Sequence, residues 1–211
     1  MANIDNDYKE IKLILLGESG VGKTCLINAY FDQKFSYNQL STLSETETKK
    51  YLRINDKIIY FVNIWDTVGQ ERYRSLTKSF IKDTNIVIFV YDITKRESFL
   101  ELNYWINLTN EVIGNDNLIL GIAANKMDLF IDSKVEPKEG KEEAEKIGAS
   151  FIEVSAKDNP NSFKDFINNL IREYITKQKI EIEKFEFIGL KDIPKNSKKQ
   201  LGYGKKKKKC C

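Results

Sequence analysis

Gly17 to Thr24 reads GESGVGKT, and no other eight residues constrain the chain as much. The segment satisfies G-x-x-x-x-G-K-[ST]. Ahead of it, Ile11 to Leu16 is a short continuous apolar run, as a strand buried on both faces requires. Behind it, CLINAYF carries its apolar residues at helical spacing. A strand that turns through glycines into a helix aims backbone N–H groups and the positive helix end at one point, which suits phosphate. In that context Lys23 reaches the β- and γ-phosphates of a nucleoside triphosphate, and the Thr24 hydroxyl is offered to Mg²⁺. A plain strand-to-helix turn would account for the glycines but not for the Gly-Lys-Thr ending.

Downstream, strand-like and helix-like runs alternate. KKYLRI and IIYFVNIW flank Asn55-Asp56-Lys57, a hairpin turn signal. NIVIFVYDI, LILGIAANK and ASFIEVSAK read as strands. ESFLELNYWINLTNEVI reads as a helix, and PKEGKEEAEKI as another with Pro137 in its first turn. SFKDFINNLIREYI is strongly amphipathic, with Phe163, Phe166, Ile167, Leu170 and Ile171 on one face. Such alternation predicts an α/β fold: a doubly wound, mostly parallel six-stranded sheet with one antiparallel strand and helices on both faces. IEIEKFEFIGL, after Lys179, alternates apolar and charged residues and reads equally as a strand, a helix extension or an extended linker.

A P-loop alone leaves the base open. NKMD, Asn125 to Asp128, follows a predicted strand at the end where such sheets bind ligands. A carboxylate accepts hydrogen bonds from both N1–H and the 2-amino group of guanine, whereas adenine offers neither, so Asp128 selects guanine. Lys126 covers the base with its stem, and Asn125 ties the loops together. Ser155, Ala156 and Lys157 end the next strand and close over the base with a backbone N–H. In WDTVGQE, Trp65 to Glu71, Asp66 fits the role of holding Mg²⁺, the Gly69 N–H that of bonding the γ-phosphate, and Gln70 that of orienting the attacking water. The nucleotide-contacting run at the P-loop is Gly17, Glu18, Ser19, Gly20, Val21, Gly22, Lys23, Thr24 and Cys25.

Charge is unevenly spread. Residues 191–211 hold nine lysines and one aspartate, a local +8 against a total of +3, so the residues before them carry −5. A mildly acidic body with a basic end is not the profile of a nucleic-acid-binding face. No run of about 18 apolar residues is present to span a membrane, and MANIDNDYKE lacks a signal-peptide pattern. Three cysteines and no histidine fit a reducing compartment better than a disulfide scaffold or zinc site.

GESGVGKT, WDTVGQE, NKMD and SAK together resemble the Ras superfamily of small GTPases. ERYRSLT after Gln70, VYDITKRESF from Val90 to Phe99, and the terminal Cys210-Cys211 resemble its Rab family. The resemblance covers roughly Lys9 to Lys179 and the C-terminus. It divides the chain into an N-terminal extension (1–8), a G domain (9–179) and a hypervariable flexible tail (180–211). It implies a GTP/GDP switch that hydrolyses GTP with Mg²⁺, recruits effectors and regulates vesicle trafficking. Implied partners are an exchange factor, a GTPase-activating protein, a GDP-dissociation inhibitor, a prenylation escort protein and effectors. By position, Phe35 matches the aromatic at the guanine edge. Thr42 matches the switch I threonine, which joins Thr24 and Asp66 at the metal in the GTP state.

Cys210 and Cys211 match the doubly geranylgeranylated Rab terminus. Two chains anchor stably where one does not, and Lys205 to Lys209 favour an anionic leaflet. About 30 flexible residues would give a reach of roughly 30 Å. The implied location is the cytoplasmic face of an intracellular membrane, in exchange with the cytosol.

Three departures from the family pattern stand out. Ser44 replaces a switch I glycine. Glu47 stands where the family has an aromatic that joins Trp65 and Phe80 in an apolar effector triad, so it should exclude typical Rab effectors and favour a basic or unusual partner. Val68 replaces the alanine of D-T-A-G-Q, beside the pivot of switch II. Val68 and Ser44 suggest an alternative, a GTP-gated binding module with negligible hydrolysis. A P-loop phosphotransferase using ATP is the second rival, and Asp128 argues against it.

Overall fold

The computed structural model describes residues 7–33, 35, 46–54, 58–67, 74–114, 118–180, 182 and 185–189. Their strands are β1 (Asp7–Leu16), β2 (Thr46–Arg53), β3 (Ile58–Asp66), β4 (Ile86–Asp92), β5 (Ile119–Asn125), β6 (Ser150–Val154) and β7 (Glu186–Ile188). The helices are α1 (Lys23–Tyr30), α2 (Arg74–Ile81), α3 (Arg96–Leu100), α4 (Leu102–Ile113), α5 (Pro137–Ile147) and α6 (Pro160–Lys177). The hydrogen-bonding order is β6-β5-β4-β1-β3-β2-β7. The α/β class and the mostly parallel sheet are as expected; the strand number is seven rather than six.

Two compact units share these strands. The larger comprises 11–48 and 63–181. In it β4 pairs parallel with both β1 and β5, Leu15 facing Ile88 and Asp92 facing Asn125, and β6 pairs parallel with β5. Every residue of β4 is buried, as its uninterrupted apolar sequence requires of a central strand. Alternate residues Val87, Phe89 and Tyr91 pack with Trp105 of α4 and Ala144 of α5. Strand geometry turns Ile88 and Val90 to the opposite face, where α6 lies against β4 and β5 and packs with α1. The predicted stripe of α6, Phe163, Phe166, Ile167, Leu170 and Ile171, is buried, each side chain contributing about 1.5–3 kcal/mol. Pro137 occupies the first turn of α5, behind a reciprocal capping box between Glu136 and Glu139.

Two helical readings differ. The run predicted as one helix is broken at Glu101 into α3 and α4. Helix α2 is not among the expected elements, although Leu76 and Phe80 stand at helical i, i+4 spacing in RSLTKSFI.

The smaller unit comprises 1–10, 49–62 and 182–211. Here the open reading of IEIEKFEFIGL resolves: Glu186–Ile188 is a strand antiparallel to β2, with Tyr51 opposite Ile188, Leu52 opposite Phe187 and Arg53 opposite Glu186. Its alternation of apolar and charged residues is what an edge-covering strand needs. The Phe185 and Phe187 rings meet edge-on at 5.8 Å, and Lys50 Nζ lies 5.1 Å from the Phe187 ring. Glu186–Ile188, within the stretch expected as a flexible tail, is thus held in a strand. The hairpin turn Asn55-Asp56-Lys57 lies outside the described residues.

Candidate functional site

The loop after β1 is held in a shape that side chains would obstruct. Gly17 has φ +150°, and a Cβ there would stand 2.2 Å from the Val90 carbonyl oxygen. Gly22 has φ +97°, in the left-handed region that favours glycine, and a Cβ would meet Asn125 Nδ2 at 2.4 Å. Gly22 is also the N-cap of α1, with no side-chain cap and no acidic residue in the first turn. The start of α1 thus carries neither a capping side chain nor an acidic residue of its own, which suits an anion site.

Lys23, the first residue of α1, is 5% exposed and curls back over the loop. Its ammonium donates to the Gly17 carbonyl at 2.8 Å and the Glu18 carbonyl at 2.9 Å. Burial pushes its pKa down from 10.5 to about 8, against the opposing pull of Asp66 and Glu18. A buried cation beside curved backbone amides is chemically matched to phosphate oxygens. Next to it the Thr24 hydroxyl donates to Asp66 Oδ2 at 2.6 Å, and Asp66, which ends β3, is 3% exposed. A hydroxyl and a carboxylate are the hard oxygen donors Mg²⁺ accepts, its remaining positions filled by phosphate and water. The residues present therefore fit both a nucleoside phosphate and Mg²⁺. Ser19, Gly20 and Val21 complete the loop, and the partly buried Cys25 follows Thr24, its thiol pKa raised mainly by burial.

The ends of β5 and β6 close the other side. Asn125, 1% exposed, donates from Nδ2 to the Val21 carbonyl at 2.8 Å and accepts at Oδ1 from the Ala156 N–H at 3.3 Å. It binds the loop, the NKMD turn and the SAK turn to one another. Ser155 Oγ donates to Asp128 Oδ1 at 2.7 Å and accepts from the Lys157 and Asp158 N–H groups. Lys157 Nζ lies 3.9 Å from Asp128 Oδ2. Asp128 is thereby positioned by its neighbours.

One participant was missed at the sequence level. Asp92, wholly buried at the end of β4, is 2.6 Å from Lys126 Nζ. Its Oδ1 accepts from Thr94 N and Thr94 Oγ1 at 2.9 and 2.7 Å. The available signal was a lone carboxylate closing an apolar strand at its ligand-binding end. Lys126 itself has φ +71°.

Phe35 is 40% exposed. On the proposed effector side, the partly buried Trp65 and Phe80 rings are 5.7 Å apart at 45°, Lys12 Nζ lies 5.5 Å from the Trp65 ring, and Glu47 is exposed on β2. Thr42, Ser44, Val68, Gly69, Gln70, Cys210 and Cys211 lie outside the described residues. Among the described residues no helix is long and apolar enough to cross a membrane.

Residues 12–176 match the model of the Ras family. Ras-related protein Rab-31 of Homo sapiens is 37% identical over 153 residues, covering 72% of this chain and 77% of that protein. Ras-related protein RIC1 of Oryza sativa subsp. japonica is 36% identical over 165 residues, 78% of this chain and 80% of that one.

Proposed function

The chain belongs to the Ras family as a Rab-like small GTPase, one of a family of GTP hydrolases, and we propose that it is a GTP/GDP switch that recruits effectors to an intracellular membrane in vesicle trafficking. The observation that carries this reading is the 2.6 Å contact between Thr24 and Asp66 beside buried Lys23 and the uncapped start of α1.

In this reading the loop amides of Gly17 to Thr24 and the Lys23 ammonium hold the phosphates. Thr24, Asp66 and, in the GTP form, Thr42 hold Mg²⁺, which supplies charge neutralisation for the transferring phosphoryl group. Asp128 reads N1–H and the 2-amino group of guanine, Lys126 and Phe35 cover the base, and Ala156 and Lys157 close over it. Gln70 orients the attacking water. Exchange factor, activating protein, GDP-dissociation inhibitor and escort protein act on the chain as they do in the family. Cys210 and Cys211 carry the lipids, and the residues beyond Gly189 are the tether. The test is displacement of a fluorescent GDP analogue from the full chain. Support is displacement by GTP at least about a hundredfold better than by ATP, and equal displacement overturns the reading.

Trp65 and Phe80 form the apolar part of the effector surface, and Glu47 beside them in the family's triad restricts the partners. Glu47→Phe should gain binding to generic Rab effectors in a GTP-loaded pull-down, and no gain would remove Glu47 from that role. The slow-hydrolysis alternative rests on Val68 and Ser44. Equal single-turnover rates for the wild type and Val68→Ala would dismiss a slowing by Val68.

A further inference from the structure

From Met127, inside NKMD, to Asp132 the chain makes two short 3₁₀ turns kinked at Leu129 (φ −108°, ψ 30°), and exposes three consecutive large apolar side chains. Leu129, Phe130 and Ile131 are 41, 64 and 85% exposed, while among the described residues Phe35 and Leu100 are the other large apolar side chains in that class. Scattered exposed apolar residues are ordinary, but three in succession are a patch. The turns are fixed by backbone bonds from Leu129 N to Lys126 O at 2.8 Å and from Ser133 N to Phe130 O at 3.2 Å. Their apolar side chains are therefore presented on a held backbone.

Beside these turns lies a cleft of about 300 Å³, with Met127, Phe130 and Val154 as apolar wall and Asp128, Glu153 and Asp158 as its charged lining. Among the described residues no lysine or arginine lines it; the nearby Lys157 forms ion pairs with Asp128 at 3.9 Å and Asp158 at 4.0 Å, so Glu153 is the lining acid that Lys157 does not meet. An acidic cleft with an aromatic edge suits a guanidinium or ammonium whose stem lies on the ring. The same acids would repel an anionic leaflet.

We propose that the 3₁₀ turns and this cleft form a docking site for a segment of a partner protein that presents an aromatic or aliphatic anchor flanked by arginine or lysine. The anchor packs on Phe130 and Ile131, and the flanking cation enters the cleft towards Glu153 and Asp158. The anchor and the cation are placed on Phe130, Ile131, Glu153 and Asp158, outside the phosphate-binding residues, but Asp128 and Ser155 of the cleft also belong to the guanine-reading site, so the titration is run with GDP bound and nucleotide release is followed separately.

The probe is a labelled peptide with Phe-Leu between arginine triplets, titrated into the full chain and followed by fluorescence anisotropy and amide chemical shifts. One control replaces every arginine by glutamate, and another replaces Phe-Leu by Ser-Ser. The basic, anchored peptide should bind at least about tenfold more tightly than either control. Its shifts should centre on residues 127–133 and 153–158. Phe130→Ser and Glu153→Lys, each with an unchanged circular dichroism spectrum, should weaken it by a similar factor. Equal binding of a control, binding indifferent to both variants, or no binding up to about 1 mM overturns the proposal. So does a concentration-dependent dimer abolished by Phe130→Ser, which would make the occupant a second copy. Loss of adsorption to phosphatidylcholine–phosphatidylserine vesicles in Phe130→Ser would make it a membrane instead, and equally overturns the proposal.

Discussion

Asn125 Nδ2 donates a 2.8 Å hydrogen bond to the Val21 carbonyl, fastening the end of β5 to the glycine-rich loop across 104 residues of sequence. The same side chain accepts from Ala156 N–H. Asn125→Ala leaves two buried backbone groups without that partner, at about 1–3 kcal/mol for an unsatisfied buried group. The expected outcome in urea unfolding is a loss of about 2 kcal/mol, with faster release of a fluorescent GDP analogue. Gly22→Ala should act on the same contact from the other side, because its Cβ would sit 2.4 Å from Asn125 Nδ2. Wild-type release rates in both variants would contradict the role given to this contact.

Lys126 and Asp92 make the second tie. Asp92 is fully buried, so its carboxylate depends on Lys126 and Thr94 for compensation. Lys126→Met should cost about 3 kcal/mol, most of it the uncompensated charge. The double variant Lys126→Met with Asp92→Asn should recover part of that loss. A double-mutant cycle in denaturant measures the coupling, and strict additivity would show that the pair does not interact.

Lys23 gives a pH signature. Its pKa in the folded, nucleotide-free chain is about 8 against 10.5 for an ordinary lysine. Between those values the unfolded state binds more protons, so the stability of the nucleotide-free protein rises as pH rises through this window. Below about pH 8 both states are protonated and that gain is absent. Phosphate binding favours the ammonium, so nucleotide affinity should fall above pH 8 by up to about tenfold per pH unit. Lys23→Met should weaken binding and flatten the profile. Calorimetric titration between pH 7 and 9.5 checks both, and a flat wild-type profile would contradict the burial effect.

The central layout was readable because its chemistry is local. GESGVGKT carries its own turn, cation and hydroxyl, and strand β4 is apolar at every position but its last. The ion pair of Lys126 with Asp92 was not readable, since it depends on the register that brings Asp92 opposite Asn125. Nor was β7, whose alternation suited three conformations until the edge of β2 selected one. The break at Glu101 also escaped, because α3 and α4 share one continuous apolar rhythm and only the backbone separates them.

Strand β7 supports its own prediction. Phe187 stands opposite Leu52 in the register and beneath Lys50 Nζ. Phe187→Ser should loosen this three-residue strand by on the order of 1 kcal/mol. Hydrogen exchange at the β2 amides should then accelerate several-fold, while exchange in β4 and β5 stays as in the wild type. Unchanged β2 exchange would show that β7 does not cover that edge.

GTP is expected to be turned over at the Lys23–Thr24–Asp66 site. Single-turnover hydrolysis of GTP by the purified full chain tests it most directly, with Mg²⁺ present and then chelated. The predicted result is release of one phosphate per bound GTP at a rate on the order of 10⁻⁴ s⁻¹, the scale of unassisted Ras-type hydrolysis. That release should be abolished by chelation and by Lys23→Met, with no turnover of ATP. Bound GTP that remains intact over many hours, or turnover indifferent to Mg²⁺ and to Lys23, would contradict it.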